Sequence, residues 1–588
     1  MKSQLDLHIA VLEDQARLLA IPSARDTATL VSQVITRGEG FLTQELPAAA
    51  RFLEKGLHVG TLFSLTRPAG FGQLSKRDLR PRFLHGFWAL VFTGDGFLME
   101  NPSWEAVRAL RQILYLHSKL KELPTPDKVD AALAAYVETD ENIDNTTPSD
   151  QDLRLEFKRA VRHMFGSYFD RMEASLSRDT FLDGAKHGPG AVAQKLTSNG
   201  KWSNTQWSER LQSLFPAYEY LTSSGLTSRR LELLSPGSEP PARVICVPKT
   251  AKSPRVISIE PTYNQFIQQG LSALFERWMD FHPVVGYTSQ EPNRILAKRG
   301  SETGSYATID LSEASDRVSL GVVKLMLNQH PLLLQSVLAC RSQRSELPDG
   351  TTVLLKKFAS MGSALTFPIE GLVFASICGM VMRRHSMWKG RILKGDFRVY
   401  GDDIIVPTDI AYECIDALEA FGLKVNRDKS FYSSTSRFRE SCGGDYFLGK
   451  RVVPVRARKR LPCTRRDVEE VVATVAFRNL YYEEYGHTEL VTMLDDHIEG
   501  IIPFPYGHPT SPGLVRWGDH IQPDGMDLHL HRPFVMGVRP VYQYRFDPLD
   551  DTGALLKFFW TPFNEDPKHL QRAGRPVSAE LKYGKILL

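Results

Sequence analysis

The run Arg398-Val399-Tyr400-Gly401-Asp402-Asp403-Ile404-Ile405-Val406 places two adjacent carboxylates inside an otherwise apolar stretch. Val399, Ile404 and Val406 are β-branched residues suited to strands, and Gly401-Asp402 carries turn chemistry. The spacing therefore predicts a tight strand-turn-strand with the acids at its tip. Neighbouring carboxylates repel unless water or a cation takes up their charge. One reading is a solvated hairpin tip. The other is a Mg2+ site, because hard divalent cations take carboxylate oxygens and two-metal phosphoryl-transfer sites draw acids from more than one segment to hold ions about 3.5–4 Å apart.

A second source of acid lies upstream, in Tyr306-Ala307-Thr308-Ile309-Asp310-Leu311-Ser312-Glu313-Ala314-Ser315-Asp316. The first residues predict a strand ending at Asp310, and Ser312 onward reads as a turn into a helix, so Asp310 should face a crevice at a strand's carboxyl end. Between the two acidic segments, Ala359-Ser360-Met361-Gly362-Ser363-Ala364-Leu365-Thr366 is a small-residue loop running into a long apolar helix. Ser360, Gly362 and Ser363 would allow a ligand to approach the backbone closely.

The ordered set Asp310-x5-Asp316, Ser360-Met361-Gly362-x3-Thr366 and Tyr400-Gly401-Asp402-Asp403 resembles palm motifs A, B and C of RNA-dependent RNA polymerases. Leu347-Pro348-Asp349-Gly350 and Phe438-Arg439-Glu440-Ser441-Cys442-Gly443 narrow the resemblance to the replicase β subunits of single-stranded RNA bacteriophages, the Qβ-like levivirus family. It covers roughly residues 241 to 450. The resemblance implies an α+β right-hand polymerase with fingers, a palm of antiparallel sheet plus helices, and a mostly helical thumb. The boundaries expected are 1–240 for a mainly helical fingers region and 241–304 for fingers with motif F. The palm follows over 305–455, with a fingers insertion near 327–358, and the thumb and C-terminal region over 456–588.

Two further segments gain meaning from their place in this order. Arg243 to Pro261 alternates strand-like stretches with Lys249, Lys252 and Arg255 and looks like motif F, whose cations would bind an incoming triphosphate. Alone it would read as an exposed amphipathic hairpin. Phe421 to Phe431 resembles motif D, where a lysine protonates the pyrophosphate leaving group; Lys429 fits by its Asp428-Lys429-Ser430 context and Lys424 competes. Phe438 to Val453 looks like motif E, with Cys442 structural rather than catalytic.

By the same resemblance Asp310 and Asp402 would hold two Mg2+ ions, with Mn2+ as a substitute and Asp403 as a weaker ligand or supporting acid. Asp316 would accept a hydrogen bond from the nucleotide's ribose hydroxyl, ordered by Ser360 and Thr366, with Gly362 in the same loop. Glu370 stands where many viral polymerases carry Asn, and when ionised it can only accept hydrogen bonds.

Composition is permissive. A chain of 588 residues with 42% hydrophobic content can bury a large core, and its formal net charge of +4 requires any RNA-binding surface to be local. Arg456, Arg458, Lys459 and Arg460 form one candidate phosphate track, the alternative being an exposed basic connector. The six cysteines show no paired metal-ligand spacing and suit a reducing cytoplasm; the resemblance implies that of an infected bacterial host. The amino terminus carries charges where a secretory signal needs an apolar core. The most apolar helix, near Phe367 to Met382, contains Pro368 and Glu370, so no membrane span is expected.

Elsewhere, Val107, Leu110 and Leu114 mark a helical apolar face, and Glu138 to Asp152 reads as a polar surface loop. His187-Gly188-Pro189-Gly190-Ala191 is a turn, plain or approaching template backbone. Thr464 to Asp467 should cap a helix whose Val468, Val471, Val472 and Val475 form a buried stripe, and His529 and His531 would share a side if they lie on a strand. The function expected is RNA-directed RNA polymerisation on a single-stranded phage genome, from NTPs, probed against two alternatives: a reverse transcriptase and a catalytically silent RNA-binding subunit. De novo initiation and host partners, the elongation factors EF-Tu and EF-Ts and a small-subunit ribosomal protein, are implied by the resemblance alone.

Overall fold

The computed structural model describes residues 3–143, 148–178, 182–196, 198–221, 231–385, 390–518, 520–550, 552–560 and 568–588. In chain order, the elements that position the site begin with helices α1 (Leu46–Val59), α2 (Trp104–Tyr115), α3 (Pro126–Glu141) and α4 (Gln151–Arg178). Strands β1 (Ala242–Val247), β2 (Arg255–Ile259), β3 (Tyr306–Ile309), β4 (Arg344–Glu346) and β5 (Thr352–Leu354) precede helix α5 (Thr366–Arg384). Then come β6 (Arg398–Tyr400), β7 (Asp403–Pro407), β8 (Phe438–Ser441) and β9 (Gly444–Phe447), and the chain closes with α6 (Val468–Tyr485), α7 (Glu489–Glu499), β10 (Gly525–Asp527), β11 (Arg532–Phe546), α8 (Thr552–Trp560) and β12 (Arg572–Leu587). The architecture is α+β.

The predicted strand-turn-strand is present. β6 and β7 are antiparallel, with Tyr400 opposite Asp403, so Gly401 and Asp402 are the two loop residues. Gly401 has φ of +58°, and a Cβ there would strike the ring of Phe367. β7 also pairs with β3, Ile404 opposite Ile309, giving the sheet order β6-β7-β3. A second sheet, β5-β4-β1-β2, joins residues 344–354 to the basic strand pair.

The largest core gathers around α4 and α5, with Phe157, Phe165, Leu372 and Phe374 among its buried members. α5 is long and apolar enough to cross a membrane, yet 83% of that window is buried inside the protein. Its length and apolarity are explained by core position, the ordinary environment of an all-round hydrophobic helix. A second core packs α1 and α2, including Val107, Leu110 and Leu114, against Phe438 and Phe447 of the β8–β9 hairpin and against Phe477 and Tyr481 of α6.

The small-residue loop before α5 packs tightly against β2. Gly362 has φ of +126°, and a Cβ would clash with the Ser258 carbonyl oxygen of β2. Ser258 N–H donates to the Met361 carbonyl at 2.8 Å. The close approach is by the chain's own backbone. Gly362→Ala combines left-handed strain with overpacking and should cost about 3 kcal/mol, visible as a lower urea midpoint with an unchanged slope.

Four expectations are corrected. Glu138 to Glu141 continue α3, and Asp140 is buried because it accepts the Lys356 and Lys357 amides at 3.0 and 3.1 Å; residues 144–147 lie outside the described residues. The C-terminal region is not mostly helical, since after α6, α7 and the short α8 its dominant feature is the long antiparallel β11–β12 ribbon. His529 and His531 sit in the turn between β10 and β11, so no strand periodicity relates them. Asp467 precedes α6, but its carboxylate accepts the Cys463 and Thr464 amides at 2.9 and 2.8 Å and closes the preceding turn instead of capping the helix. Val471 and Val475 are buried, Val468 and Val472 only partly.

Candidate catalytic site

Asp310 follows the last residue of β3, and Asp403 begins the neighbouring β7, so the two acids come side by side one residue beyond the Ile309–Ile404 pair. Asp402 projects from the turn and is exposed. Burial raises the Asp310 carboxyl to about 6; Lys429 and the Asn426 amide oppose the rise, while Glu440 and Asp402 add to it. Asp403 is used differently. Its Oδ1 accepts the Cys442 amide at 2.9 Å and the Ser441 hydroxyl at 3.2 Å, which ties the acidic turn to the β8–β9 hairpin; burial raises its pKa. This is the structural use of Cys442, which sits at φ of +50° in that turn.

Among the described residues no three His, Cys, Asp or Glu side chains stand together as a ready metal cage. Asp310 and Asp402 nevertheless suit Mg2+, which is commonly held by one or two carboxylates plus waters and substrate phosphates. The burial that makes the ionised Asp310 costly without a counterion points the same way.

The 421–431 segment grips Asp310. Asn426 donates through its side-chain amide to Asp310 Oδ2 at 2.9 Å and through its backbone N–H to the Asp310 carbonyl at 2.9 Å, and the Ser430 hydroxyl accepts the Asp310 N–H at 3.0 Å. Lys429 Nζ stands 4.0 Å from Asp310 Oδ2. Lys424 is exposed on a two-residue strand paired with Leu311–Ser312. The geometry therefore brings Lys429, and not Lys424, to the acids. Asn426 had no signal of its own in the sequence beyond its place in this segment.

Asp316 lies in a short 3-10 turn and pairs through Oδ1 with Lys357 Nζ at 2.8 Å. Ser360 is buried, with its hydroxyl 2.9 Å from that of Tyr136 on α3 and its carbonyl accepting the Thr366 hydroxyl at 2.7 Å. Ser360, buried, and Thr366, half-buried, thus brace the loop. Glu370 is buried within electrostatic reach of Asp402 and Asp316, and desolvation, reinforced by those two acids, pushes its pKa well up. In its protonated form it could donate a hydrogen bond as well as accept one.

Lys249, Lys252 and Arg255 lie at and around the β1–β2 connection, all exposed. Desolvation at the Lys249 ammonium, reinforced by Arg255 and Lys429, lowers its pKa, while Asp310 and Asp402 oppose, so this cation lies within electrostatic reach of the acidic pair.

The basic cluster after the β8–β9 hairpin is partly engaged by neighbouring side chains. Arg456 lies over the Tyr115 ring at 5.2 Å, Lys459 pairs with Glu469 at 2.6 Å, and Arg460 pairs with Glu39 and Glu122 at 2.5 and 2.8 Å, while Arg458 and Arg460 are both exposed. Glu39 in a turn, Glu122 in a loop and Glu469 at the start of α6 take up part of this charge. A different cationic surface forms a groove of about 620 Å3 between the 187–191 turn, the β1–β2 face and the β11–β12 ribbon. Lys195, Arg243, Arg545 and Arg575 line it over a floor that includes Ile245 and Ile257, and no acid lines it among the described residues. Buried Lys201 holds the turn by donating to the Gly188 and Gly190 carbonyls at 2.7 and 2.5 Å; burial lowers its pKa to about 8.

Comparison with known proteins bears on the chain's family. The chain is 37% identical over 221 residues to the RNA-directed RNA polymerase subunit beta of Enterobacteria phage SP, covering 38% of this chain and 37% of that protein. It is 35% identical over 219 residues to the corresponding subunit of Escherichia virus Qbeta, covering 37% and 36%. The matched stretch spans little more than a third of the length of these relatives. Among solved structures, the RNA-dependent RNA polymerase of a human picobirnavirus aligns over 66% of this chain and 76% of its own, with a TM-score of 0.41 and 13% identity. The profile of the family described as RNA replicase, beta-chain, matches residues 160–471, more than half of the sequence, and the chain belongs to that family.

Proposed function

We propose that this chain is an RNA-directed RNA polymerase that copies a single-stranded RNA phage genome in the cytoplasm of an infected bacterium. The observation that carries the reading is Asp310, held at the end of β3 beside the Gly401-Asp402 turn and gripped by Asn426 with Lys429 at 4.0 Å. In this reading β3, β6 and β7 belong to the palm, β1 and β2 to the fingers, and α6 opens the thumb.

Asp310 and Asp402 would hold Mg2+, with Asp403 supporting through the hairpin it anchors. The metal would supply a lowered pKa at the attacking 3'-hydroxyl and charge neutralisation at the triphosphate. Lys249, Lys252 and Arg255 neutralise the triphosphate from the β1–β2 side. Lys429, beside the acids yet 41% exposed, is placed to give a proton to the departing pyrophosphate. Asp316 accepts from the ribose hydroxyl, which favours a ribonucleotide polymerase over a reverse transcriptase. De novo initiation and help from EF-Tu, EF-Ts and a ribosomal protein belong to the same proposal through family resemblance.

The RNA path runs through the cationic groove. Cations over an apolar floor suit a single strand, with phosphates on the rim and bases on the floor. Arg545→Ala with Arg575→Ala should weaken RNA binding and lower the slope of log K against log salt by about 1.4, two single-strand contacts' worth. An unchanged slope would remove these residues from the path. The activity is tested on homopolymer templates: incorporation should follow the complement of each template and demand ribonucleotides. Deoxyribonucleotide preference would favour a reverse transcriptase, and RNA binding without incorporation a silent subunit.

A further inference from the structure

Lys357 is a fully buried cation, with none of its side chain exposed. Burying an ammonium is costly unless it is paired, and two groups meet this one. Its Nζ lies 2.8 Å from Asp316 Oδ1 and 3.5 Å from the centroid of the Tyr136 ring. The backbone beneath it is pinned as well, because Asp140 of α3 accepts the N–H groups of both Lys356 and Lys357, and Lys356 Nζ donates to the Glu141 carbonyl at 2.7 Å. Tyr136 turns its hydroxyl to Ser360 at 2.9 Å, so one aromatic side chain supports both the cation and the loop before α5. Asp316 keeps 21% of its side chain open to solvent.

We infer that Lys357, seated on Tyr136 and held by the end of α3, is a positioning residue for sugar selection: it fixes one oxygen of Asp316 so that the other is presented to the nucleotide's 2'-hydroxyl. This rests on the polymerase reading above. Lys357 touches no reacting atom. It stops the carboxylate from rotating, and a site built to hydrogen-bond a hydroxyl discriminates only as well as its acceptor is preorganised. A helix far from the acidic turn in sequence thereby contributes to the choice between ribose and deoxyribose.

The test compares kcat/KM for a ribonucleotide and its 2'-deoxy analogue in the full chain, in Lys357→Met and in Lys357→Arg. Lys357→Met should reduce the ribose preference tenfold or more, almost wholly by loss on the ribonucleotide, with the deoxynucleotide value changed less than threefold. Lys357→Arg should recover part of the preference. Should Lys357→Met fail to fold, Tyr136→Leu removes the platform and leaves the charge, and its preference should fall about threefold. A folded Lys357→Met or Tyr136→Leu protein that loses both rates equally, or keeps the wild-type preference, overturns the inference. If the wild type incorporates neither nucleotide, it is the polymerase reading that fails, and the inference falls with it.

Discussion

Asp310→Asn is expected to lower Mg2+-dependent ribonucleotide incorporation by about a thousandfold, the equivalent of several kcal/mol of metal-borne charge stabilisation at the transition state. Asn keeps the shape and retains a partner for Asn426 but offers a divalent cation only a neutral oxygen. Stability should not suffer. Burial raises the folded Asp310 pKa to about 6 from an ordinary value near 3.8, so its ionised form opposes folding increasingly as pH rises between these values, and the cost persists above them. In metal-free buffer at neutral pH the variant should melt no lower than wild type. Added Mg2+ should stabilise wild type and leave the variant unmoved, which separates loss of a metal ligand from loss of fold.

Arg111→Met is expected to destabilise the protein by about 3–5 kcal/mol, the cost of stripping the partner from buried carboxylates. Arg111 of α2 is 1% exposed and forms ion pairs with Glu54 of α1 and Asp445 of β9, while its Nε donates to the Val452 carbonyl at 3.0 Å. Glu54 would keep Arg51 at 2.6 Å and the Tyr115 hydroxyl at 2.9 Å, so Asp445 bears most of the loss. Arg111→Met combined with Asp445→Asn should recover much of the stability, and urea titration of the single and double variants measures it. The same hairpin carries Ser441 and Cys442, which hold Asp403, and Glu440 lies within electrostatic reach of Lys429 and Asp310. Loosening this joint should therefore lower activity even where the variant remains folded.

What could be read from the residues is what depends on near neighbours. Gly401-Asp402 between β-branched residues specifies a two-residue hairpin through local turn chemistry, and the end of the Tyr306–Ile309 strand delivers Asp310. The roles of long-range partners were not legible. Nothing near Asp403 in the sequence shows that the 438–447 hairpin supplies two donors to its Oδ1. Lys357 is an ordinary lysine until Tyr136 and Asp316 close around it. Arg460 reads as a free cation because Glu39 and Glu122 come from a turn and a loop hundreds of residues away in sequence. The β11–β12 ribbon was missed because long stretches of it are exposed on both faces, so its residues carry little of the two-residue alternation that marks a half-buried strand.

The most direct test of the polymerase account is template-dependent incorporation of labelled ribonucleotides with Mg2+ by the purified full chain, alongside Asp402→Asn and with deoxyribonucleotides in parallel, first alone and then with elongation factors added. The account predicts ribonucleotide-selective synthesis by wild type that Asp402→Asn abolishes while its RNA binding is retained. Synthesis that survives Asp402→Asn, or wild-type RNA binding with no synthesis under either condition, would contradict it.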